Sequence, residues 1–357
     1  MEIFDGIKII SEKITETLKF DDFPSTIEPE ELREAVMSYP LLGGKRLRPV
    51  LTLWSCGLLG GDIEKALYAA CAAEVYHNWT LVHDDIIDVD EVRRGIPTAH
   101  KALEAQGKIK HNLTSGKARK FGIDMAILAG DLQQSWAVNL VLKSASLGVA
   151  PNVVNSICRD MVETLSRELI SGEAIDVALS YRDIRNIDYD EVERMLHMKT
   201  SSLLNFSAIA GAKIALNTDD NNTEEIKNLR DFTSSLGLAF QLRDDYLGMF
   251  GSAEKLGKPI ASDIIAAKPT LLILETIGRT NLDDKKTVLG LMGKETITPE
   301  EIEILRKIMT DSGAKNQIIK GIDYNKKQAE VALGALPDNK YRKLLHDLNF
   351  LLSTREK

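Results

Sequence analysis

The sequence predicts an all-α protein, a single large helical bundle. Apolar residues return at helical spacing nearly throughout, and alternating β-branched runs closed by hairpin turns are missing. Two stretches, residues 69–82 and 203–216, are apolar on most faces. A helix of that kind has no solvent side, so it belongs in the middle of a bundle. Residues 236–240 form another apolar run, Leu236-Gly237-Leu238-Ala239-Phe240. Further on, Thr298-Pro299-Glu300-Glu301 has the form of a capping box, and Ile302, Leu305 and Met309 follow at helical spacing. Polar breaks at residues 21–30, 105–115, 217–222, 251–263 and 293–298 are short, as loops within one domain spanning 1–357 are.

Composition narrows the function. With 357 residues, 44% of them hydrophobic, the chain can bury a sizeable core. Lys and Arg number 45 against 53 Asp and Glu, and the net charge of −8 argues against duplex nucleic acid as the main partner. Three cysteines, Cys56, Cys71 and Cys158, form no CxxC pair, so neither a disulfide framework nor a cysteine zinc site is expected. No apolar run approaches the roughly 18 residues that span a bilayer. Met1-Glu2-Ile3-Phe4-Asp5 lacks the basic and apolar regions of a signal peptide, and a cytoplasmic location is expected.

Chemistry is concentrated in charged clusters. Leu81-Val82-His83-Asp84-Asp85-Ile86-Ile87-Asp88 closes an apolar run with three carboxylates, and Asp84 and Asp88, four apart, share one helix face. Like charges so placed repel unless something neutralises them. A second pair, Asp244-Asp245, follows the run at 236–240. Carboxylates without His or Cys at ligand spacing favour a hard cation such as Mg²⁺. The cations are Gly43-Gly44-Lys45-Arg46-Leu47-Arg48-Pro49, Arg93-Arg94-Gly95, Lys199-Thr200, Lys258 and Lys268. Taken singly, each acidic or basic cluster reads as a solvated face. Their recurrence beside glycines and next to the acidic pairs favours a polyphosphate held by metal and protein cations together.

The order of these motifs closely resembles that of the trans-isoprenyl diphosphate synthases, the short-chain polyprenyl synthetase family. The likeness runs from Gly43 to about Thr270 and includes Ala129-Gly130-Asp131 and Phe240-Gln241-Leu242-Arg243-Asp244-Asp245. It implies a bundle around a central apolar cavity, Mg²⁺ as cofactor and a homodimer. It further implies that Lys45, Arg48, His77 and Arg94 bind the diphosphate of isopentenyl diphosphate. Arg93, Lys199, Lys258 and Lys268 would contact an allylic prenyl diphosphate, with Thr200 and Gln241 lining the reacting carbons; Lys199, Thr200 and Gln241 form the implied catalytic set. Asp84, Asp88 and Asp244 would ligate the metal, with Asp85 and Asp245 beside them. His77, seven residues before Asp84, stands about two turns down the same face; alone it would read as a core histidine.

The sequence departs from the family pattern in three places. Gly248 replaces the third aspartate of the second motif, Pro269 follows Lys268 where a second lysine is common, and about a dozen extra residues fall within 102–117.

The implied reaction is metal-assisted loss of the allylic diphosphate, attack by the isopentenyl double bond and proton loss to the released diphosphate. For product length the helix before Asp84 is the ruler, one isoprene unit matching a turn of roughly 5.4 Å. Thr80 is small and about one turn down, while Tyr76 is large and about two turns down. Trp79 lies about 140° around an ideal helix from Asp84, so its inward direction is implied by the resemblance alone; both aromatics are equally compatible with plain core packing. Trp79 and the uninterrupted Asp84–Asp88 spacing are similar to archaeal-type geranylgeranyl diphosphate synthases, making C20 the first expectation and C15 the second. A class I terpene cyclase is the main alternative. Its second motif is matched only by Asp219-Asp220-Asn221-Asn222-Thr223, which ends in Lys227 instead of Glu. A metal phosphohydrolase lacks its second upstream histidine, and a non-catalytic subunit of a heteromeric synthase would have damaged aspartate motifs.

Overall fold

The computed structural model describes residues 2–252 and 260–354. Among them the only sheet is a hairpin, β1 Val92–Arg93 paired with β2 Ile96–Pro97; the remaining regular structure is helical. The hairpin was not expected from the sequence. Its two central residues, Arg94 at φ 52° and Gly95 at φ 81°, are both left-handed, as a type I′ turn requires.

The helices form two compact units. The first, Met1–Met161 with Phe206–Ile226, contains α1 Ile3–Lys19, α2 Glu30–Leu41, α3 Leu47–Leu58, α4 Leu67–Ile87, α5 Ala99–Lys110, α6 Ser115–Lys143 and α7 Pro151–Arg159. Every residue of α3 except Arg48 is buried, and α4 is buried continuously from Ala69 to Tyr76. The burial of α4, and that of residues 203–214, is what the all-round apolar pattern of 69–82 and 203–216 demands, whereas that pattern does not include α3. Gly211 lies so close to the Thr52 carbonyl of α3 that any side chain there would overlap it. Lys213, fully buried, is neutralised by Asp160 and donates to Ser156 Oγ at 2.7 Å.

The break expected over 105–115 is shorter than its polarity suggested. Helix α5 continues to Lys110, because Leu103 and Gly107 are buried against α6, with Gly107 beside Phe121, while Lys101 and Lys108 brace Glu104. Only residues 111–114 are left as the connection.

The second unit, Val162–Asn205 with Lys227–Lys357, contains α8 Ser166–Ser180, α9 Tyr189–Leu196, the start of α10 Ser202–Leu216, and most of α11 Glu224–Phe250. After these come α12 Ser262–Ile265, α13 Leu271–Arg279, α14 Leu282–Leu291, α15 Pro299–Asp311, α16 Ala314–Gly334 and α17 Lys340–Thr354. Its core gathers Leu179, Met195, Leu242, Leu271, Leu305 and Met309. The capping box is formed: Thr298 Oγ1 accepts from the Glu301 N–H at 3.3 Å, and Glu301 Oε2 accepts from the Thr298 N–H at 2.9 Å. A π-helical turn, His197–Ser201, joins α9 to α10. Among the described residues no helix is long and apolar enough to cross a membrane.

Candidate active site

In the first unit the site begins with a strained loop. Gly43 (φ 85°), Gly44 (φ 141°) and Arg46 (φ 48°) hold positive φ just before α3. This left-handed bend turns Arg46 inward, where it is 2% exposed, ion-paired with Glu74 of α4 and donating to the Pro40 carbonyl at 2.6 Å. With Arg46 inside, Lys45 stays exposed and Arg48 is the one residue of α3 that is only partly buried. Arg94 donates to the Gly43 carbonyl, and a Cβ on residue 44 would stand 2.6 Å from its Nη1. The second glycine is called for by its positive φ, while the Arg94 guanidinium, at the end of a flexible side chain, can shift.

Arg48, His77 and Arg94 feel one another's charge. Burial, reinforced by Arg48 and Arg94, holds the His77 imidazole well below its usual range, so it is neutral at pH 7. Burial likewise pushes Arg48 down to about 10, against the pull of Glu74, and leaves it cationic. Its Nε is buried without a hydrogen-bond partner. Two guanidinium groups beside a neutral imidazole form a site that an anion stabilises.

The aspartate motif occupies the last turn of α4. Asp84 is half-buried and Asp88, the C-cap, is exposed, with the Asp88 N–H donating to the Asp84 carbonyl at 2.7 Å. Asp85 points elsewhere: it is fully buried, accepts from the Tyr39 hydroxyl, and accepts from Arg93 Nε at 2.6 Å. The Tyr39 oxygen in turn accepts from the Ala99 N–H at 3.1 Å. Asp85, grouped with the metal residues by sequence, is thus engaged in tying α2, the hairpin and α5 to α4. The I′ turn sends adjacent arginines to different tasks, Arg93 to the aspartate motif and Arg94 to the glycine loop.

Lower on α4, Tyr76 and Trp79 are both buried, their rings 4.8 Å apart at 75°, and Trp79 meets His83 at 5.8 Å. His83 Nε2 lies 3.1 Å from the Ile127 carbonyl of α6, and a side chain at Gly130 would overlap its ring. The glycine of Ala129-Gly130-Asp131 therefore admits His83. The Thr80 hydroxyl donates to the His77 carbonyl at 2.8 Å.

In the second unit the π-turn presents Lys199 and Thr200. Lys199 Nζ stands 2.6 Å from Glu173 and 2.7 Å from Asp176, both on α8. Gln241 Nε2 donates to Thr200 Oγ1 at 2.6 Å, and Asp244 and Asp245 follow within the next turn of α11, half-buried. A Cβ on Gly248 would lie 3.2 Å from Asp263 Oδ2, so the carboxylate of Asp263 stands beside the position that lacks its aspartate. The Lys268 N–H donates to the Asp263 carbonyl at 2.9 Å, which ties that lysine's backbone to the same corner. Lys258 lies outside the described residues.

Sequence reasoning missed Tyr39, Glu74, Glu173, Asp176 and Asp263. Glu74 carried a signal, a lone carboxylate inside an apolar run; the others become visible only through their contacts.

Among the described residues no three His, Cys, Asp or Glu side chains converge closely enough to hold an ion by themselves. Mg²⁺ needs no such cage, since it keeps waters and takes one or two carboxylates together with phosphate oxygens. The pairs Asp84/Asp88 and Asp244/Asp245 supply that kind of donor, hard oxygen without imidazole or thiolate.

A family model for polyprenyl synthetase matches residues 29–309. The geranylgeranyl diphosphate synthase of Saccharolobus solfataricus is 35% identical over 303 residues, 85% of this chain and 82% of that protein. The short chain isoprenyl diphosphate synthase of Methanocaldococcus jannaschii is 34% identical over 313 residues, 87% of this chain and 84% of that one. Among solved structures, geranylgeranyl pyrophosphate synthetase from Pyrococcus horikoshii matches with a TM-score of 0.84 at 32% identity, covering 98% of each chain. The enzyme from Corynebacterium glutamicum, complexed with isoprenyl diphosphate and magnesium, matches with a TM-score of 0.86 at 26% identity, over 99% of this chain and 100% of its own. The glycine-arginine loop, both aspartate pairs and the Lys199-Thr200 turn all fall inside the matched segment, and the chain belongs to the polyprenyl synthetase family.

Proposed function

We propose that this prenyltransferase condenses isopentenyl diphosphate with dimethylallyl, geranyl and farnesyl diphosphates, giving all-trans geranylgeranyl diphosphate (C20) first and farnesyl diphosphate (C15) second. The cluster of Arg48 on α3, neutral His77 on α4 and Arg94, which donates to the Gly43 carbonyl, carries the reading. A terpene cyclase, which takes one diphosphate, has no use for such an anion site in addition to the cations around Lys199. Lys45, Arg48, His77 and Arg94 are assigned to isopentenyl diphosphate. Arg93, Lys199, Lys258 and Lys268 are assigned to the allylic diphosphate.

Asp84, Asp88 and Asp244, with Asp245 next to the last, would hold Mg²⁺, which when bound supplies positive charge to the departing diphosphate. Lys199 adds its own cation there. The Thr200 hydroxyl oxygen and the Gln241 carbonyl oxygen are negative dipole ends that stabilise positive charge at the reacting carbons. A cytoplasmic homodimer is proposed on the family resemblance.

Turnover with isopentenyl diphosphate and each allylic partner, with products resolved by chain length, tests the reading. Failure to elongate any of the three overturns it. Arg48→Ala is expected to raise the KM for isopentenyl diphosphate by about 10- to 100-fold, the worth of one charge-assisted hydrogen bond, and to leave the allylic KM within about twofold. Equal effects on both would refute separate assignments. Tyr76→Ala combined with Trp79→Ala opens the space below Thr80 and is expected to shift products to C25 and beyond. An active double mutant whose products keep their length would show that these rings are core packing.

A further inference from the structure

We propose that Glu173 is a positioning residue that sets the affinity for the allylic diphosphate by partly neutralising Lys199. The inference rests on the assignment of Lys199 to that diphosphate. Lys199 Nζ is held between Glu173 Oε2 at 2.6 Å and Asp176 Oδ2 at 2.7 Å, and all three side chains are at most 21% exposed. One cation between two carboxylates leaves a local charge of −1. A lysine so compensated attracts an incoming polyanion less than its formal charge suggests, and in a poorly solvated place the difference is large.

The backbone makes the arrangement rigid. A Cβ on Gly172 would stand 2.6 Å from the Lys199 nitrogen and 2.9 Å from Met198 Cβ, so α8 lies directly against the π-turn that carries Lys199. Residues 173 and 176, three apart, then face the same ammonium from one side of α8. The two carboxylates divide the work. Asp176 accepts a hydrogen bond from Lys199 and fixes its direction, while the charge of Glu173 lowers the pull of the site on a diphosphate. The consequence is easier departure of the inorganic diphosphate that each condensation leaves behind.

Glu173→Gln removes one charge while keeping the side chain's size, and Asp176 still orients Lys199. It is expected to lower the KM for the allylic substrate about tenfold. The competitive Ki of inorganic diphosphate against that substrate should fall in parallel, and the KM for isopentenyl diphosphate should stay unchanged. Glu173→Asp, which restores the charge, should return both constants towards the starting protein, whereas a purely structural role would not follow charge in this way. If Glu173→Gln does not fold, Glu173→Ala removes the same charge with Asp176 still orienting Lys199, and is expected to move both constants in the same direction. Unchanged or raised constants in a folded, active charge-removed variant overturn the inference. Lys199→Met separates the two levels: an unchanged allylic KM in that variant overturns the assignment of Lys199 itself, while a raised KM there, with no fall in Glu173→Gln, overturns only the role of Glu173.

Discussion

Asp84→Ala is expected to cut turnover by thousands-fold while leaving the fold intact. Asp84 sits half-buried in the last turn of α4 and shares a face with Asp88. Its loss removes a ligand from the Mg²⁺ that would accompany the allylic diphosphate. An effect equal to two oxyanion donors, about 5 kcal/mol at roughly 1.4 kcal/mol per decade, corresponds to more than three orders of magnitude in kcat. Unfolding should be little changed, because Asp84 lies half-exposed at a helix end, where substitutions shift stability little. Single-turnover rates beside a urea titration separate the two effects. Near-normal turnover would remove metal-assisted ionisation from the mechanism.

Glu74→Ala is expected to act on stability instead. Its carboxylate and the Arg46 guanidinium are an ion pair with side chains 3% and 0% exposed, and Arg46 is anchored by the Pro40 carbonyl and by Thr15 Oγ1 at 3.2 Å. Removing one partner of a buried pair strands the other charge in low dielectric and typically costs about 3–5 kcal/mol. The same change frees the loop at Gly43-Gly44 to relax, so the KM for isopentenyl diphosphate should rise as well. Chemical denaturation that finds less than about 1 kcal/mol lost would mean that Arg46 finds another acceptor or water.

Much of the fold and the site follows from local chemistry. Apolar residues at helical spacing have to be buried, so the inner positions of α4 and of residues 203–216 and the capping box at Thr298 are written into short stretches of chain. Carboxylates four apart and arginines beside paired glycines advertise charge that needs a partner, which is why Asp84, Asp88, Lys45 and Arg48 could be singled out without a structure.

Tertiary packing decided the rest, because a contact between distant segments has no local signature. Asp85 and Asp84 are neighbours in sequence, yet Asp85 is engaged by Tyr39, 46 residues earlier, and by Arg93. Arg93 and Arg94 are equivalent in composition, and the I′ turn alone separates their destinations. The polar stretch after Ala105 is helical to Lys110 because Gly107 lets α5 pack onto Phe121. The absent third aspartate has the Asp263 carboxylate beside its position, and Lys199 meets Glu173 and Asp176 only because Gly172 lets α8 touch the π-turn. The sequence by itself determined which residues carry charge and which faces are buried. The close approach of backbones, permitted at a few glycines, determined which charges meet.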